Sequence, residues 1–316
     1  MEYLNNQIKA RLEEKLGKLN KHRPLPKEIV WKLNEQFAIE MTYNSNAIEG
    51  NTLTLQETAW VIQDGLTIKG KPMKDHLEAR DHYNALTYLY ELVERNTQQT
   101  ISEMLIRTIH QLVVRETEQR TAGAYRTGNV FITGANHTPP DVSAVPGAMQ
   151  DLIRWIRLHQ NDLHPVELAA IVHHKLVNIH PFFDGNGRTA RVVMNLLLLK
   201  EGYPLAIVLK NDRKKYYQSL AKADAGDIRP FVRFIAQAVE RSLNVYLKIV
   251  APPVKRSEKY LSLSEIAKET PYTSKYLNLL ARTGKIEAHK EKRNWVTSKA
   301  AIESYIKERK RQRNLG

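Results

Sequence analysis

His180-Pro181-Phe182-Phe183-Asp184-Gly185-Asn186-Gly187-Arg188-Thr189-Ala190-Arg191 is the stretch from which the rest of this chain is best read. Gly185 and Gly187 bracket Asn186, and an apolar helical pattern follows at Val192, Val193, Leu196 and Leu197. A glycine-rich turn that opens a helix aims unpaired backbone N–H groups outward at the positive end of the helix dipole. Such a turn is an anion site, and phosphate is its usual guest. Glycine permits the positive φ and the close backbone approach that the turn needs. Asn186 tolerates the left-handed region and adds a side-chain donor. Arg188 and Arg191 are three apart, so they share a helix face and can grip two phosphates together. Asp184 is a hard oxygen ligand suited to Mg²⁺. His180 can hold an unprotonated imidazole near neutral pH and serve as a base. Together these residues can hold a nucleotide's phosphates and activate a hydroxyl against one of them.

At every fixed position the dodecamer resembles the signature of the Fic family, His-x-Phe-x-(Asp/Glu)-Gly-Asn-Gly-Arg-x-x-Arg. The resemblance implies transfer of AMP from ATP to a Ser, Thr or Tyr hydroxyl of a target protein, with release of pyrophosphate and with Mg²⁺ as cofactor. It implies that His180 takes the proton of the attacking hydroxyl and that Asp184 binds Mg²⁺. The Gly185–Gly187 turn would cradle the phosphates, Asn186 and Arg188 would stabilise the charge there, and Arg191 would orient the γ-phosphate. This is catalysis by positioning and charge stabilisation.

Well upstream lies Ser45-Asn46-Ala47-Ile48-Glu49-Gly50-Asn51. Ser45 and Glu49 are four apart and stack on one face of a helix that Gly50 and Asn51 stop. Taken alone, the segment reads as a helix end. Beside the dodecamer it resembles the family's inhibitory motif, (Ser/Thr)-x-x-x-Glu-(Gly/Asn). The resemblance implies that Glu49 pairs with Arg191, which then cannot orient a γ-phosphate. It also leaves open that Glu49 positions a water for removal of AMP.

Gly123-Ala124-Tyr125-Arg126 and the following Thr127 to Pro140 resemble the Fic flap, a β-hairpin over the site. Val130, Phe131 and Ile132 favour a strand, and an exposed edge there can grip an extended target segment. Lys215-Tyr216-Tyr217-Gln218 and Asp224 to Pro230 resemble the tract that walls the adenine pocket, with Tyr217 against the base. Many relatives carry Asn where this chain has Asp224; Asp accepts from the adenine 6-amino group but cannot donate to N1. Core packing is an equal reading for Tyr216 and Tyr217. His137, His159, His164, His173 and His174 read mostly as solvated or ordinary helix residues.

Apolar residues recur at helical spacing through 27–49, 76–95, 102–117, 145–159, 165–179, 188–201, 213–224 and 228–249. The fold class expected is therefore mainly α: a Fic-type helical bundle with a small β-hairpin flap, followed by a C-terminal winged helix-turn-helix domain. Residues 1–100 would be an N-terminal helical region carrying the inhibitory helix, 101–250 the catalytic core and 255–316 the winged domain. The chain has no cysteine, which excludes disulfides and thiolate metal sites and suits a reducing, cytoplasmic setting. Its longest apolar run, Val192–Leu199, is interrupted at Asn195 and is too short to span a membrane. The polar N-terminus has no signal-peptide pattern.

Pro252 and Pro253 read as a linker. From Lys255 onward 16 basic and 7 acidic residues give +9 of the chain's +14. The reading there is a first helix capped by Ser264, a second over 273–282 with Tyr276, Leu279 and Leu280 on one face, a wing over 285–296 and a last helix over 298–310. This resembles a winged helix-turn-helix, whose second helix would offer Ser274, Lys275 and Asn278 to DNA. Protein docking or dimerisation is the other use of such a module.

Three functions fit these residues. The first, favoured by the intact signature, is a self-inhibited AMP transferase. The second is a Glu49-dependent remover of AMP. The third is a DNA-binding regulator whose core only senses nucleotide. Self-modification and a homodimer remain open as partner states.

Overall fold

The computed structural model describes residues 3–95, 100–132, 137–250, 260–291 and 294–313. In chain order its helices are α1 (Asn6–Asn20), α2 (Lys27–Ile48), α3 (Leu55–Gln63), α4 (Met73–Glu94), α5 (Glu103–Val113), α6 (Val145–His159) and α7 (Pro165–Ile179). They continue as α8 (Asn186–Lys200), α9 (Arg213–Asp224), α10 (Arg229–Val250), α11 (Leu263–Ile266), α12 (Ser274–Arg282) and α13 (Lys299–Arg313). The strands are β1 (Leu261–Ser262), β2 (His289–Glu291) and β3 (Asn294–Thr297). No helix among the described residues is long and apolar enough to cross a membrane.

Helix ends follow local chemistry. Pro146 in the first turn of α6 and Pro165 at the start of α7 supply the fixed φ that helix starts favour. Every helical stretch expected from periodicity is present. α5 stops four residues short of 117, because Val114 leaves helical geometry at φ −126° and the backbone N–H of Glu116 turns to Asp81. Two helices were not expected. α3 opens with a reciprocal capping box between Thr54 and Glu57. α1 is capped by Asn5 and buries Ile8, Leu12 and Leu19 at helical spacing.

The chain forms two compact units: Met1–Tyr3 with Pro26–Ile235, and Leu4–Leu25 with Ala236–Gly316. The division does not follow chain order, since α1 joins the C-terminal elements. In the first unit α8 is the central helix, packed by α2, α4, α5 and α7. It is buried almost all round, from Asn186 through Leu198. Each of its buried Val and Leu side chains contributes roughly 1.5–3 kcal/mol of transfer free energy. That packing fixes its N-terminal turn, where the glycine motif sits. Val130 to Ile132, expected to be a strand, have no ladder partner among the described residues, and Phe131 is exposed. The expected tip of that hairpin, residues 133–136, lies outside the described residues.

In the second unit the sheet order is β1-β3-β2, antiparallel, with Ser262 and His289 both paired to Val296. Its core is Leu263, Ile266, Leu277, Leu280, Ala281, Ile286, Ala288 and Ile302. α1 joins it through Arg11, which bonds Glu240 at 2.8 Å, and through Lys15, which pairs with Asn244 and Glu287. Two expectations are corrected. Ser262, not Ser264, caps α11, because the box closes on Glu265 three residues later. α12 buries Leu277, Leu280 and Ala281, while Leu279 faces solvent.

Candidate active site

His180 ends α7 in the left-handed region (φ 51°, ψ 57°), and it is the one non-glycine residue with positive φ among those described. That conformation costs on the order of 1–3 kcal/mol and persists only where the surroundings impose it. Arg126 imposes it. Its backbone N–H donates to the Pro181 carbonyl at 2.9 Å, and its Nε to the His180 carbonyl at 2.9 Å. The other guanidinium nitrogens donate to the Gly128 and Pro140 carbonyls at 3.0 and 2.5 Å, fastening the segment beside the site. Burial lowers the His180 pKa below its ordinary value, against the Val177 carbonyl, Glu49 and Asp184, which raise it. Nδ1 lies 3.4 Å from the Val177 carbonyl. With its proton on Nδ1, the ring leaves Nε2 as the basic nitrogen.

The turn after His180 is built from inside. Phe182 is fully buried and stacks on His110, ring centroids 3.6 Å apart and planes at 1°. His110 Nδ1 accepts from the Gly123 N–H at 2.9 Å, so Nε2 carries the proton and donates to the Asp184 carbonyl at 3.0 Å. Burial lowers the His110 pKa to about 4, which keeps the ring neutral for this double use. Asn186 closes the turn: Oδ1 accepts from the Phe182 N–H at 3.0 Å and Nδ2 donates to its carbonyl at 2.8 Å. One of the two amide N–H groups of Asn186 thus shapes the cradle from within. Gly185 has φ 74°, and a Cβ there would stand 2.6 Å from Val114 Cγ1. No side chain caps α8, so its first N–H groups are left to an outside acceptor.

Charge is concentrated around this open end. Burial raises the Asp184 pKa, but Arg188, the Gly185 N–H and Lys74 outweigh it, and the net shift is downward. Arg188, 2% exposed, bonds Asp184 Oδ2 at 3.2 Å. Its NH1 lies 3.2 Å from Glu78 Oε1 without hydrogen-bond alignment, and Nε has no partner. Arg191 is 1% exposed. It donates through Nε to Ser45 Oγ at 2.9 Å, and through NH2 to the Ser45 carbonyl at 3.0 Å and to Glu49 Oε1 at 2.7 Å. Burial alone would lower its pKa; Glu49 and Tyr216 reverse that and raise it. Glu49 is the C-cap of α2, and its carboxylate lies against Gly187, where a Cβ would stand 2.5 Å from Oε1. Ser45, Glu49, Arg191 and the cradle are thus brought together in one place.

Tyr217 is part-exposed beside the site, with the Arg213 guanidinium 4.9 Å from its ring centre. Burial and Glu49 raise its pKa. Tyr216 is buried, its hydroxyl 3.4 Å from Arg191 NH1 and 3.1 Å from His173 Nε2. Asp224 Oδ1 is 2.9 Å from His174 Nε2 and accepts from Asn178 Nδ2 at 3.3 Å. Of the histidines read as ordinary, His173 is fully buried and His164 caps α7. Sequence reasoning assigned no role to His110, Arg126 or Glu78. His110 and Glu78 come from separate helices, far in sequence from the cradle they support.

Residues 100–198 match the profile of the Fic/DOC family. Over 206 residues the chain is 41% identical to protein adenylyltransferase Fic of Drosophila yakuba and to that of Drosophila melanogaster, covering 65% of this chain. It spans only 41% of the length of those curated relatives. A Fic-domain-containing signalling protein from Bacteroides thetaiotaomicron superposes with a TM-score of 0.70 at 30% identity, covering 77% of this chain and 96% of that one. Fic-1 of C. elegans superposes at 0.69 and 31%, covering 77% and 72%. With the glycine cradle, its two arginines and a structural match over nearly all of the Bacteroides protein in hand, the chain is a member of the Fic family.

Proposed function

We propose that this chain is a self-inhibited protein adenylyltransferase. The observation that carries the reading is the 2.7 Å pair between Glu49 and Arg191, set against Gly187 at the uncapped start of α8. ATP phosphates would occupy that end, held by its N–H groups, Arg188 and Arg191. His180 would take the proton of a target Ser, Thr or Tyr hydroxyl as its oxygen bonds the α-phosphorus. The bond from the α-phosphorus to the bridging oxygen breaks, and pyrophosphate leaves. Asp184 fits Mg²⁺ as a single part-exposed carboxylate kept ionised, since Mg²⁺ takes one or two carboxylates and completes its shell with phosphates and water. Bound there, Mg²⁺ would supply charge neutralisation at the phosphates. Tyr217 and Asp224 would flank the base, and Val130, Phe131 and Ile132 would meet the target. The N-terminal helices carry the inhibitory segment and 101–250 the catalytic residues.

While Glu49 holds Arg191, a γ-phosphate has no free guanidinium there. The test is transfer of label from α-³²P-ATP with Mg²⁺ to lysate proteins and to the chain itself. Glu49→Gly should label at least about tenfold faster than the parent, the effect of removing a charge-assisted contact worth about 1.5–3 kcal/mol. Equal, feeble labelling by both would overturn the reading. Loss of AMP from labelled protein by the parent, but not by Glu49→Gly, would instead favour the reverse reaction.

A second reading concerns the C-terminal unit. The antiparallel β1-β3-β2 sheet, with α12 before the β2–β3 ribbon, supports a winged helix-turn-helix. Exposed Ser274 and Lys275 on α12, together with the tail's excess of positive charge, support contact with DNA phosphates and bases. Salt-sensitive binding of a duplex by the full chain tests it.

A further inference from the structure

Glu78 lies on α4, far in sequence from the dodecamer, yet it reaches both the cradle and the inhibitory segment. Its side chain is 9% exposed. Oε1 stands 3.2 Å from Arg188 NH1, and Oε2 accepts from Asn51 Nδ2 at 2.9 Å. Asn51 is two residues beyond Glu49. Its Nδ2 also donates to the Asp75 carbonyl at 3.0 Å, and its Oδ1 accepts from the Leu53 N–H at 3.1 Å. Asn46, on the last turn of α2, donates to the Glu78 carbonyl at 3.1 Å. The segment that presents Glu49 is thus fastened to α4 at Glu78 and at Asp75, whose Oδ2 also accepts from the Thr52 N–H and hydroxyl at 2.8 and 2.6 Å.

The contact with Arg188 has an unusual form. Arg188 is buried, yet Nε and NH1 lack hydrogen-bond partners. Asp184 takes NH2, and Glu78 adds a second, more deeply buried negative charge by proximity without consuming Nε or NH1. A buried cation left without a neighbouring anion would be costly, whereas one with every donor occupied would have nothing to offer a phosphate.

We propose that Glu78 is a positioning residue: one oxygen holds Arg188 in place for the phosphates, and the other fastens, through Asn51, the segment that carries Glu49. The proposal rests on the nucleotide-transfer reading above. Removing its charge has two opposed effects on the substrate. Arg188, less neutralised, attracts the phosphates more strongly. Its guanidinium, no longer held, is less well oriented for reaction.

The experiment uses the full chain with Glu49→Gly as the reference and ATP as the probe. Glu78→Gln on that reference should lower kcat about 10–100-fold while KM for ATP falls several-fold, with tighter ATP binding by calorimetry. Glu78→Asp keeps the charge but shortens the reach, so KM should return toward the reference while kcat stays reduced. In the chain with Glu49 intact, Asn51→Ala should raise transfer several-fold, and on the Glu49→Gly reference it should change nothing. Should Glu49→Gly itself transfer no AMP, the underlying reading fails. Given transfer by that reference, unchanged constants for Glu78→Gln, or a lower kcat at constant KM that tracks a lower Tm, overturn the inference. So does an Asn51→Ala effect that persists without Glu49. If Glu78→Gln does not fold, the Glu78→Asp split and the Asn51 pair decide alone.

Discussion

α8 and α12 begin alike in sequence, each with a basic residue in its first turns, and differ in what covers the helix end. At α8 the N-cap is Gly185, no side chain caps it, and Arg188 and Arg191 are buried. At α12 the Thr273 hydroxyl accepts from the Tyr276 N–H at 3.2 Å, and Lys275 projects into solvent. An uncapped helix start inside a core leaves backbone donors that only a ligand or another residue's carboxylate can satisfy. Glu49 stands at that place. A self-capped start on the surface has one of those donors taken by its own Thr273 and the rest open to water. In the proposed reading the contrast separates a site for one small anion from a face that meets an extended charged surface.

The largest expected effect bears on the first region. On the Glu49→Gly chain, His180→Ala should slow AMP transfer about 10²–10⁴-fold, the usual contribution of a general base. ATP binding by calorimetry should survive, because the imidazole is not a phosphate contact in this reading. Loss of binding together with rate would instead make His180 a structural cap of α7. The pH profile adds a sign. The imidazole must be neutral to accept a proton, and its pKa is lowered. The rate of Glu49→Gly should therefore stay level from pH 8 through ordinary histidine pKa values near 6.5 and fall only below them.

The glycine cradle comes next. Gly185→Ala places a Cβ at positive φ and 2.6 Å from Val114 Cγ1. The two penalties together should cost about 2–4 kcal/mol, read as a lower Tm and as lost transfer in the Glu49→Gly chain. At α12, Thr273→Ala removes an exposed cap and should cost about 1 kcal/mol with transfer unaltered. Equal costs at the two helix starts would break the contrast between them.

How far the sequence discloses these regions depends on how local their causes are. α6, α7 and α9 have the predicted bounds, because apolar periodicity, joined at α6 and α7 by proline at the start, acts within a few residues. α3 was legible in principle from Thr54 and Glu57, but its nine residues give periodicity little room. The cradle is contiguous, so its glycines, Asp184 and arginines were readable in one pass. Glu49 reached Arg191 only through a resemblance, since 142 residues separate them. His110 has no such help, as it acts through tertiary contacts with Phe182 and Asp184, and the resemblance of residues 76–83 to a helix common in Fic chains gives Glu78 no role. Asn186 braces its own turn through the Phe182 N–H and carbonyl, a use that its residue type alone does not disclose, and this occupies one of its two amide N–H groups. Ser264 lost the cap to Ser262 because only the latter has a glutamate three residues on.

The smallest expected effect tests whether the α12 face meets DNA at all. Lys275 is exposed and lies in the first turn, beyond the cap. In the proposed reading it touches a phosphate, so Lys275→Ala should weaken duplex binding across sequences. The slope of log K against log salt should drop by about 1, the release of one counterion. Asn278, one turn further on, would face base edges. Asn278→Ala should then cost about 1–3 kcal/mol on a preferred site while leaving the salt slope unchanged. Both readouts come from titrations of the full chain at several salt concentrations. A duplex affinity that ignores both substitutions would leave the C-terminal unit as a protein-docking module. The uncapped α8 would then be the one helix start of the pair that meets phosphate.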